Sequence, residues 1–84
     1  MISYFLVVDS VPEQTFTSEE ECIEAFFDKR QEIFLDLVGY CQEIVEEKED
    51  NEYCLNFYTQ DRNLPMSYPH LRRQLEILCI DQSK

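Results

Sequence analysis

The sequence predicts a small single α+β domain spanning residues 1–84, with a two- or three-stranded sheet packed by one long acidic amphipathic helix and a shorter C-terminal helix. Three observations lead to this prediction. The chain has 84 residues, a length that supports one domain with a modest core. Its first residues are rich in β-forming side chains. Residues 17–50 carry apolar side chains at helical spacing.

The N-terminal residues 2–9, ISYFLVVD, predict the first strand. Apolar side chains occupy both alternating faces, which is typical of an interior strand covered on both sides. Pro12 then interrupts the pattern. Residues 14–17, QTFT, predict a short second strand that returns as a hairpin.

Residues 18–51 predict one long helix. Ser18 and Glu21 have the spacing of a capping box, and apolar pairs recur every three or four positions from Cys22/Ile23 to Ile44/Val45. About 30 helical residues would span about 45 Å, so part of the apolar side is expected to face a second copy or a partner. Arg30 projects to the middle of that side. It either reaches an edge or pairs with a buried acid, or it marks a part left uncovered for a partner.

The C-terminal third predicts a strand, a loop and a second helix. The strand is Tyr53–Thr59. Residues 60–67, QDRNLPMS, form the loop. The stretch 60–70 is either an ordinary connection or a binding loop, because it carries Arg62, Met66 and Tyr68, types favoured at interfaces. Ser67 would cap a helix over residues 68–80. Its last four residues, ILCI, also fit a strand.

An acidic stripe runs along the predicted long helix, opposite the apolar side, with Lys29 as the base at its margin. A solvated helix face normally mixes signs, because opposite charges three or four residues apart stabilise a helix and like charges destabilise it. We therefore interpret the stripe as a partner-binding surface. Its predicted binding residues are Glu21, Glu24, Asp28, Glu32, Asp36, Glu43, Glu46 and Glu47.

The charge distribution indicates the chemistry of the partner. The formal net charge is −11, with sixteen acidic and three basic residues in 1–61 and four basic and two acidic residues in 62–84. Direct binding to nucleic acid or to an anionic membrane is therefore disfavoured, and a basic protein partner is favoured. Carboxylates about 6 Å apart on a helix imitate a row of phosphates.

These features predict a non-catalytic inhibitor or regulator that binds a basic site on a nucleic-acid-processing protein, for example a nuclease. DNA mimics, phage counter-defence proteins and toxin antidotes work in this way. The alternative function is a small self-associating subunit or adaptor that uses the apolar side of the long helix, with homo-oligomers as the result. In that case the stripe serves solubility alone.

Catalytic and metal-binding patterns are weak in this sequence, so we predict no enzyme, cofactor or metal. His70 is the sole histidine, and no Ser or Cys is placed to form a nucleophile pair with it. The four cysteines, Cys22, Cys41, Cys54 and Cys79, contain no CxxC pair. Each lies in an apolar pattern, which favours reduced, buried thiols over zinc ligation or disulfides.

The expected location is the cytoplasm. No apolar run approaches the roughly 18 residues of a membrane span. The N-terminus is apolar but lacks the basic start and small-residue cleavage site of a signal peptide.

Overall fold

A computed structural model describes residues 2–60 and 69–81. Their elements follow in the order β1 (Ile2–Val8), β2 (Val11–Phe16), α1 (Glu19–Asp36), β3 (Cys41–Glu49), β4 (Glu52–Gln60) and β5 (His70–Asp81). The strands form one five-stranded antiparallel sheet in the order β2-β1-β5-β4-β3. The domain is α+β, but the predicted two- or three-stranded sheet with two helices is wrong.

The N-terminal hairpin agrees with the sequence prediction. β1 pairs with β2 on one side and with β5 on the other, so it is an interior strand as expected. β2 begins earlier than predicted, at Val11, and includes Pro12. The register shifts between Leu6 and Val7, which leaves Glu13 as an extra residue in a bulge of the edge strand.

The helix α1 begins as predicted and ends much earlier. The Ser18 side chain accepts a hydrogen bond from the Glu21 backbone N–H at 3.4 Å, which caps the first turn. Leu37 is the C-cap residue, and the Gln42 side chain donates to the Phe34 carbonyl at 3.3 Å, so a strand residue satisfies one of the terminal carbonyls. Within the described residues no helix combines the length and apolar character needed to cross a membrane.

The predicted second half of the long helix is the strand β3. Gly39 lies two residues after Leu37, the C-cap of α1, and is a poor helix former, about 1 kcal/mol less favourable than Ala. After it, Ile44 pairs with Phe57 and Glu46 pairs with Leu55 in a register without shifts. Pairing with β4 and contact of Ile44 with the buried core offset the helical preference of the glutamates.

The predicted C-terminal helix is the strand β5, the central strand of the sheet. Leu75 is fully buried there because it lies between Val8 of β1 and Leu55 of β4. The strand alternative that ILCI allowed is therefore correct for residues 77–80 and extends back to His70. Ser67 and residues 61–68 of the predicted loop lie outside the described residues.

One face of the sheet packs against α1 to form the core. The helix lies over β2, β1 and β5. Alternate residues of the strands point toward it, because side chains in a strand alternate between the two faces. The buried core cluster consists of Leu6, Val8, Phe26, Ile33, Leu37, Leu55, Phe57 and Leu75.

The opposite face of the sheet holds a polar network at its centre. The Asn56 side-chain oxygen accepts hydrogen bonds from Gln74 at 2.8 Å and from the Cys54 thiol at 3.7 Å. The Asn56 amide donates to the Val45 carbonyl at 3.5 Å. Asn56 is almost fully buried, so these bonds compensate for its loss of contact with water.

Candidate partner-binding surfaces

Five of the predicted binding residues form one exposed row, which we call the acidic side of α1. They are Glu21, Glu24, Asp28, Glu32 and Asp36, and all five are exposed. From Glu24 to Asp36 the steps are four residues, about 6 Å along the helix, and the step from Glu21 to Glu24 is three residues, about 4.5 Å. The structure therefore brings these five residues together in the arrangement that the sequence predicted.

Lys29 neutralises part of this row. Its ammonium group lies 3.3 Å from the Glu32 carboxylate and 3.5 Å from the Glu13 carboxylate in the bulge of β2. The hydrogen bond to Glu32 is the largest of the effects that raise the pKa of Lys29, and the charge of Glu13 adds to it. The acidic side of α1 therefore faces the β2 edge of the sheet, and Glu32 is engaged there.

Asp36 is engaged at the end of the helix. Its carboxylate lies 3.5 Å from the Arg73 guanidinium of β5, and Arg73 also donates to Asp9 at 2.7 Å. These contacts tie the helix terminus and the turn after β1 to the central strand. They give Asp36 a structural role besides any role in binding.

The carboxylates of Glu21, Glu24 and Asp28 remain available for a partner. Lys29 and Arg73, the bases in contact with this row, pair with Glu32 and Asp36 instead. Across residues 2–60 and 69–81, no ion pair involves Glu21, Glu24 or Asp28. These three are therefore the members of the row best suited to bind an external cation.

The other three predicted residues, Glu43, Glu46 and Glu47, are not on the helix. They lie on β3, at the sheet edge farthest from β2. Strand alternation places Glu43 and Glu47 on the face away from α1 and Glu46 on the same face as α1. The prediction of a single continuous stripe is therefore wrong, because the chain turns between Asp36 and Cys41 and divides the acids between two surfaces.

Glu46 also contacts the sheet itself. Burial raises the pKa of the Tyr53 hydroxyl, and a hydrogen bond with Glu46 and the charge of its carboxylate raise it further. Tyr53 in turn packs edge-on against Phe26, with ring centroids 5.5 Å apart. Glu46 of the edge strand therefore contacts Tyr53, which packs against the core residue Phe26 of α1.

A groove between α1 and the β3–β4 hairpin is the surface that the sequence did not identify. We call it the lateral groove; its volume is about 780 Å³. In the apolar pairs of α1 the first residue is buried and the second exposed: Ile23 is 38%, Phe27 56% and Phe34 43% exposed. Ile23 and Phe27 line the lateral groove together with Arg30, Ile44 and Tyr53.

The sequence signal for the lateral groove was the pairing of adjacent apolar residues. At 100° per residue, the apolar pairs within α1 occupy an arc about 140° wide, which is broader than the stripe of about 100° that one contact needs. Arg30 is exposed on the same side of the helix as Ile23 and Phe27. Arg30 lines the lateral groove, and its exposure fits both a side chain that reaches an edge and an apolar side left partly uncovered.

The residues considered for catalysis and metal binding, namely His70 and the cysteines, do not form one cluster in the described part of the chain. His70 is exposed at the first position of β5, and Cys79 lies nine residues along the same strand. Cys22, Cys54 and Cys79 are free thiols, and the side chain of Cys41 lies outside the description. In the described ranges no three or more His, Cys, Asp or Glu residues are grouped so that they could hold a metal ion.

Comparison with known proteins adds no assignment. A scan against protein-family models found no match to this chain, and searches of curated proteins and of solved structures found none either.

Proposed function

We propose that the protein is a non-catalytic inhibitor or regulator that binds a basic site on a nucleic-acid-processing protein through the acidic side of α1. The observation that supports this function is the row of five exposed carboxylates on one rigid helix, in which Glu24 and Asp28 form no ion pair with any described residue. Surface repulsion within such a row is relieved when a cationic partner binds.

The spacing of the row supports mimicry of a phosphate backbone. From Glu24 to Asp36 the carboxylates follow one another about every 6 Å along the helix, which presents a row of negative charge to a basic groove. Lys29 and Arg73 already pair with the last two of them, Glu32 and Asp36. A protein that bound there would compete with nucleic acid for the groove. Its association would be fast at low salt and would weaken as salt screens the charges.

A binding role fits the environment of these carboxylates better than a catalytic role. A carboxylate pair that acts as general acid and general base needs two environments that separate the two pKa values. Glu24 and Asp28 share one water-exposed helix surface. This surface therefore favours contact with a partner and not proton transfer to a substrate.

The test is capture of proteins from a cell lysate by the purified chain, with and without added duplex DNA and at rising salt. We expect capture of a basic nucleic-acid-binding protein that DNA blocks and salt releases. The double variant E24K/D28K should weaken that capture by about tenfold or more, because two attractive contacts become repulsive. Charge reversal at Glu32 or Asp36 is less informative, since it also breaks the contacts with Lys29 and Arg73.

The matched control is E43K/E47K, which changes the net charge equally at the far sheet edge. It should retain most of the capture that E24K/D28K loses. Undiminished capture by E24K/D28K would contradict the proposed function. Equal loss in both variants would also contradict it, because net charge alone would then explain the binding.

A second function, a self-associating subunit or adaptor, is supported by a separate observation. Three apolar side chains of α1, those of Ile23, Phe27 and Phe34, are exposed on the side of the helix away from its core contact. Ile23 and Phe27 line the lateral groove, and exposed apolar side chains that line a groove are typical of interaction surfaces. In this function the lateral groove receives the apolar residues of a second copy or of another subunit.

Phe27→Asp tests this second function against a matched control, Leu35→Asp. Both side chains are 56% exposed, but only Phe27 lines the lateral groove. If the chain self-associates through the groove, light scattering after size exclusion should give a lower mass for Phe27→Asp and an unchanged mass for Leu35→Asp. A wild-type monomer at micromolar concentration would count against self-association.

A further inference from the structure

The two edges of the sheet differ in how open they are to another strand. β2 has six residues, contains Pro12 and is bulged at Glu13, and these features obstruct pairing along an edge. β3 has nine residues without proline and pairs with β4 from Cys41 to Glu49 without a register shift. In the described part of the chain, β4 is the only neighbour of β3 in the sheet. One row of backbone N–H and C=O groups of β3 therefore faces outward.

We propose that the edge of β3 is a docking site for an extended basic segment of a partner protein, which adds to the sheet as a further antiparallel strand. Such strand addition obtains affinity from the backbone hydrogen bonds of the ladder and specificity from alternate side chains. The proposal concerns residues at the edge of the sheet opposite to the acidic side of α1. It therefore stands independently of the function proposed above.

The charges on β3 oppose pairing with a second copy of the chain. Two copies paired about a two-fold axis at Val45 would bring all nine residues of each strand into register. That register places Glu43 of each copy opposite Glu47 of the other, and like charges directly opposite one another destabilise a strand pair. This full-length register is thus disfavoured for two copies of the chain, whereas a strand of opposite charge meets no such repulsion.

The alternation of β3 defines the partner strand more closely. On the face away from α1, Glu43 and Glu47 flank Val45, and all three side chains are exposed. On the other face, Ile44 is half-buried and packs against the core, and Glu46 and Lys48 follow it as exposed residues. A complementary strand therefore carries Lys or Arg on one face, opposite the glutamates, and β-branched apolar residues on the other face, next to Ile44.

The position of α1 leaves this edge accessible. The helix lies over β2, β1 and β5, and the lateral groove separates it from the outer part of the β3–β4 hairpin. Apolar side chains of an added strand would lie beside Ile44 and cover part of the exposed apolar surface of the groove. Burial of that surface adds to the ladder hydrogen bonds.

The probe is a fluorescent peptide of alternating Lys and Val with the nine-residue length of β3. We expect saturable binding to the intact protein, with backbone amide shifts in nuclear magnetic resonance spectra concentrated at residues 41–49 and not at 11–16. Two further peptides are N-methylated at every second residue, in opposite phases, which preserves their charge and composition. Only one phase removes the N–H groups that face β3, so one methylated peptide should bind at least about tenfold more weakly than the other.

Charge-swapped variants provide the second measurement. E43K/E47K should reduce the affinity for the Lys-Val peptide by about tenfold and should bind the corresponding Glu-Val peptide instead. E24K/D28K has the same net charge as E43K/E47K, and it should retain the wild-type preference for the Lys-Val peptide over the Glu-Val peptide. Equal binding of the two methylated peptides would overturn the proposal, because binding would then depend on charge and not on a ladder. Amide shifts centred on α1 would overturn it as well.

Discussion

The turn after β1 allows a prediction in which two neighbouring substitutions have opposite effects. Asp9 and Ser10 connect the paired residues Val8 and Val11, and both have left-handed backbone angles, with φ of 51° and 69°. A two-residue turn with two positive φ angles matches the twist of a hairpin, and Asn-Gly is its preferred sequence. Asp tolerates this conformation better than most residues, whereas Ser is strained in it.

Asp9 also contacts the central strand. Its backbone N–H donates to the Gln74 carbonyl at 2.9 Å, and its carboxylate accepts from the Gln74 N–H at 3.0 Å and from Arg73 at 2.7 Å. Asp9→Ala should cost about 1 kcal/mol for the lost hydrogen bond to the backbone. The exposed ion pair adds about 0.5 kcal/mol, and the left-handed conformation of Ala adds about 1 kcal/mol. The expected total is about 2 to 3 kcal/mol.

The assay is urea unfolding of matched variants, together with their melting temperatures. Asp9→Ala should lower Tm by roughly 10 °C or more, given about 4 to 8 °C per kcal/mol for a domain of this size. Asp9→Asn keeps an acceptor and tolerates positive φ, so its loss should stay near 0.5 kcal/mol. Ser10→Gly should raise stability by about 0.5 to 1 kcal/mol after the entropy cost of glycine. Equal losses in Asp9→Ala and Asp9→Asn would refute the dominant role of the backbone conformation and of the hydrogen bond from the Gln74 N–H.

Three further predictions concern the core, the face away from α1 and a buried thiol. Phe26→Ala should destabilise the fold by about 3 to 5 kcal/mol, whereas Phe27→Ala should cost less than about 1 kcal/mol, because only Phe26 is buried; urea unfolding separates the two. Burial, a hydrogen bond with Glu52 and nearby negative charge raise the pKa of Glu76. The stability that protonated Glu76 contributes is therefore lost as pH rises from its ordinary pKa of 4.5 through the raised pKa. Glu76→Gln should be more stable than wild type at pH 7, and this difference in stability should close toward pH 4 in unfolding titrations. Burial raises the pKa of Cys54 to about 11, so alkylation of this thiol at pH 8 should be slow until the protein unfolds, and mass spectrometry of the labelled peptide can measure it.

Local sequence signals predicted the elements whose structure depends on nearby residues. The Ser18 side chain caps α1 through a residue three positions away, so its signal is contained in four residues. The strand β1 is apolar on both faces and occupies an interior position. The strand predicted at Tyr53–Thr59 is β4, extended by one residue at each end.

The missed strands depend on partners that are distant in the chain. β3 is rich in glutamate, which favours a helix when considered alone. β5 has Leu71, Leu75 and Leu78 at helical spacing. Both become strands because each pairs with β4. β5 also pairs with β1, from which it is separated in sequence by β2, α1, β3 and β4. Such pairing overrides local propensity and cannot be read from periodicity.

The candidate surfaces, like the fold, could be predicted from the sequence only in part. Exposure of Glu24 and Asp28 follows from the helical wheel, because they lie opposite the buried Phe26 and Ile33. The wheel could not place Glu43 and Glu47, since the helix ends before them. It also could not say which residue of each apolar pair is buried, because this depends on where the helix lies across the sheet.

The width of the sheet explains why one helix offers two different surfaces. Five strands about 4.8 Å apart form a face about 20 Å wide, whereas a helix with its side chains is about 10 to 12 Å across. A single helix therefore covers about half of the face, and α1 covers the half formed by β2, β1 and β5. The side of α1 toward β2 is acidic, and the side toward β3 carries Ile23 and Phe27 above the lateral groove. A partner on the first side is bound by charge and should dissociate as salt rises, while a partner in the groove buries apolar area and should remain bound. The salt dependence of a complex, measured beside E24K/D28K and Phe27→Asp, therefore identifies the side of the helix that holds the partner.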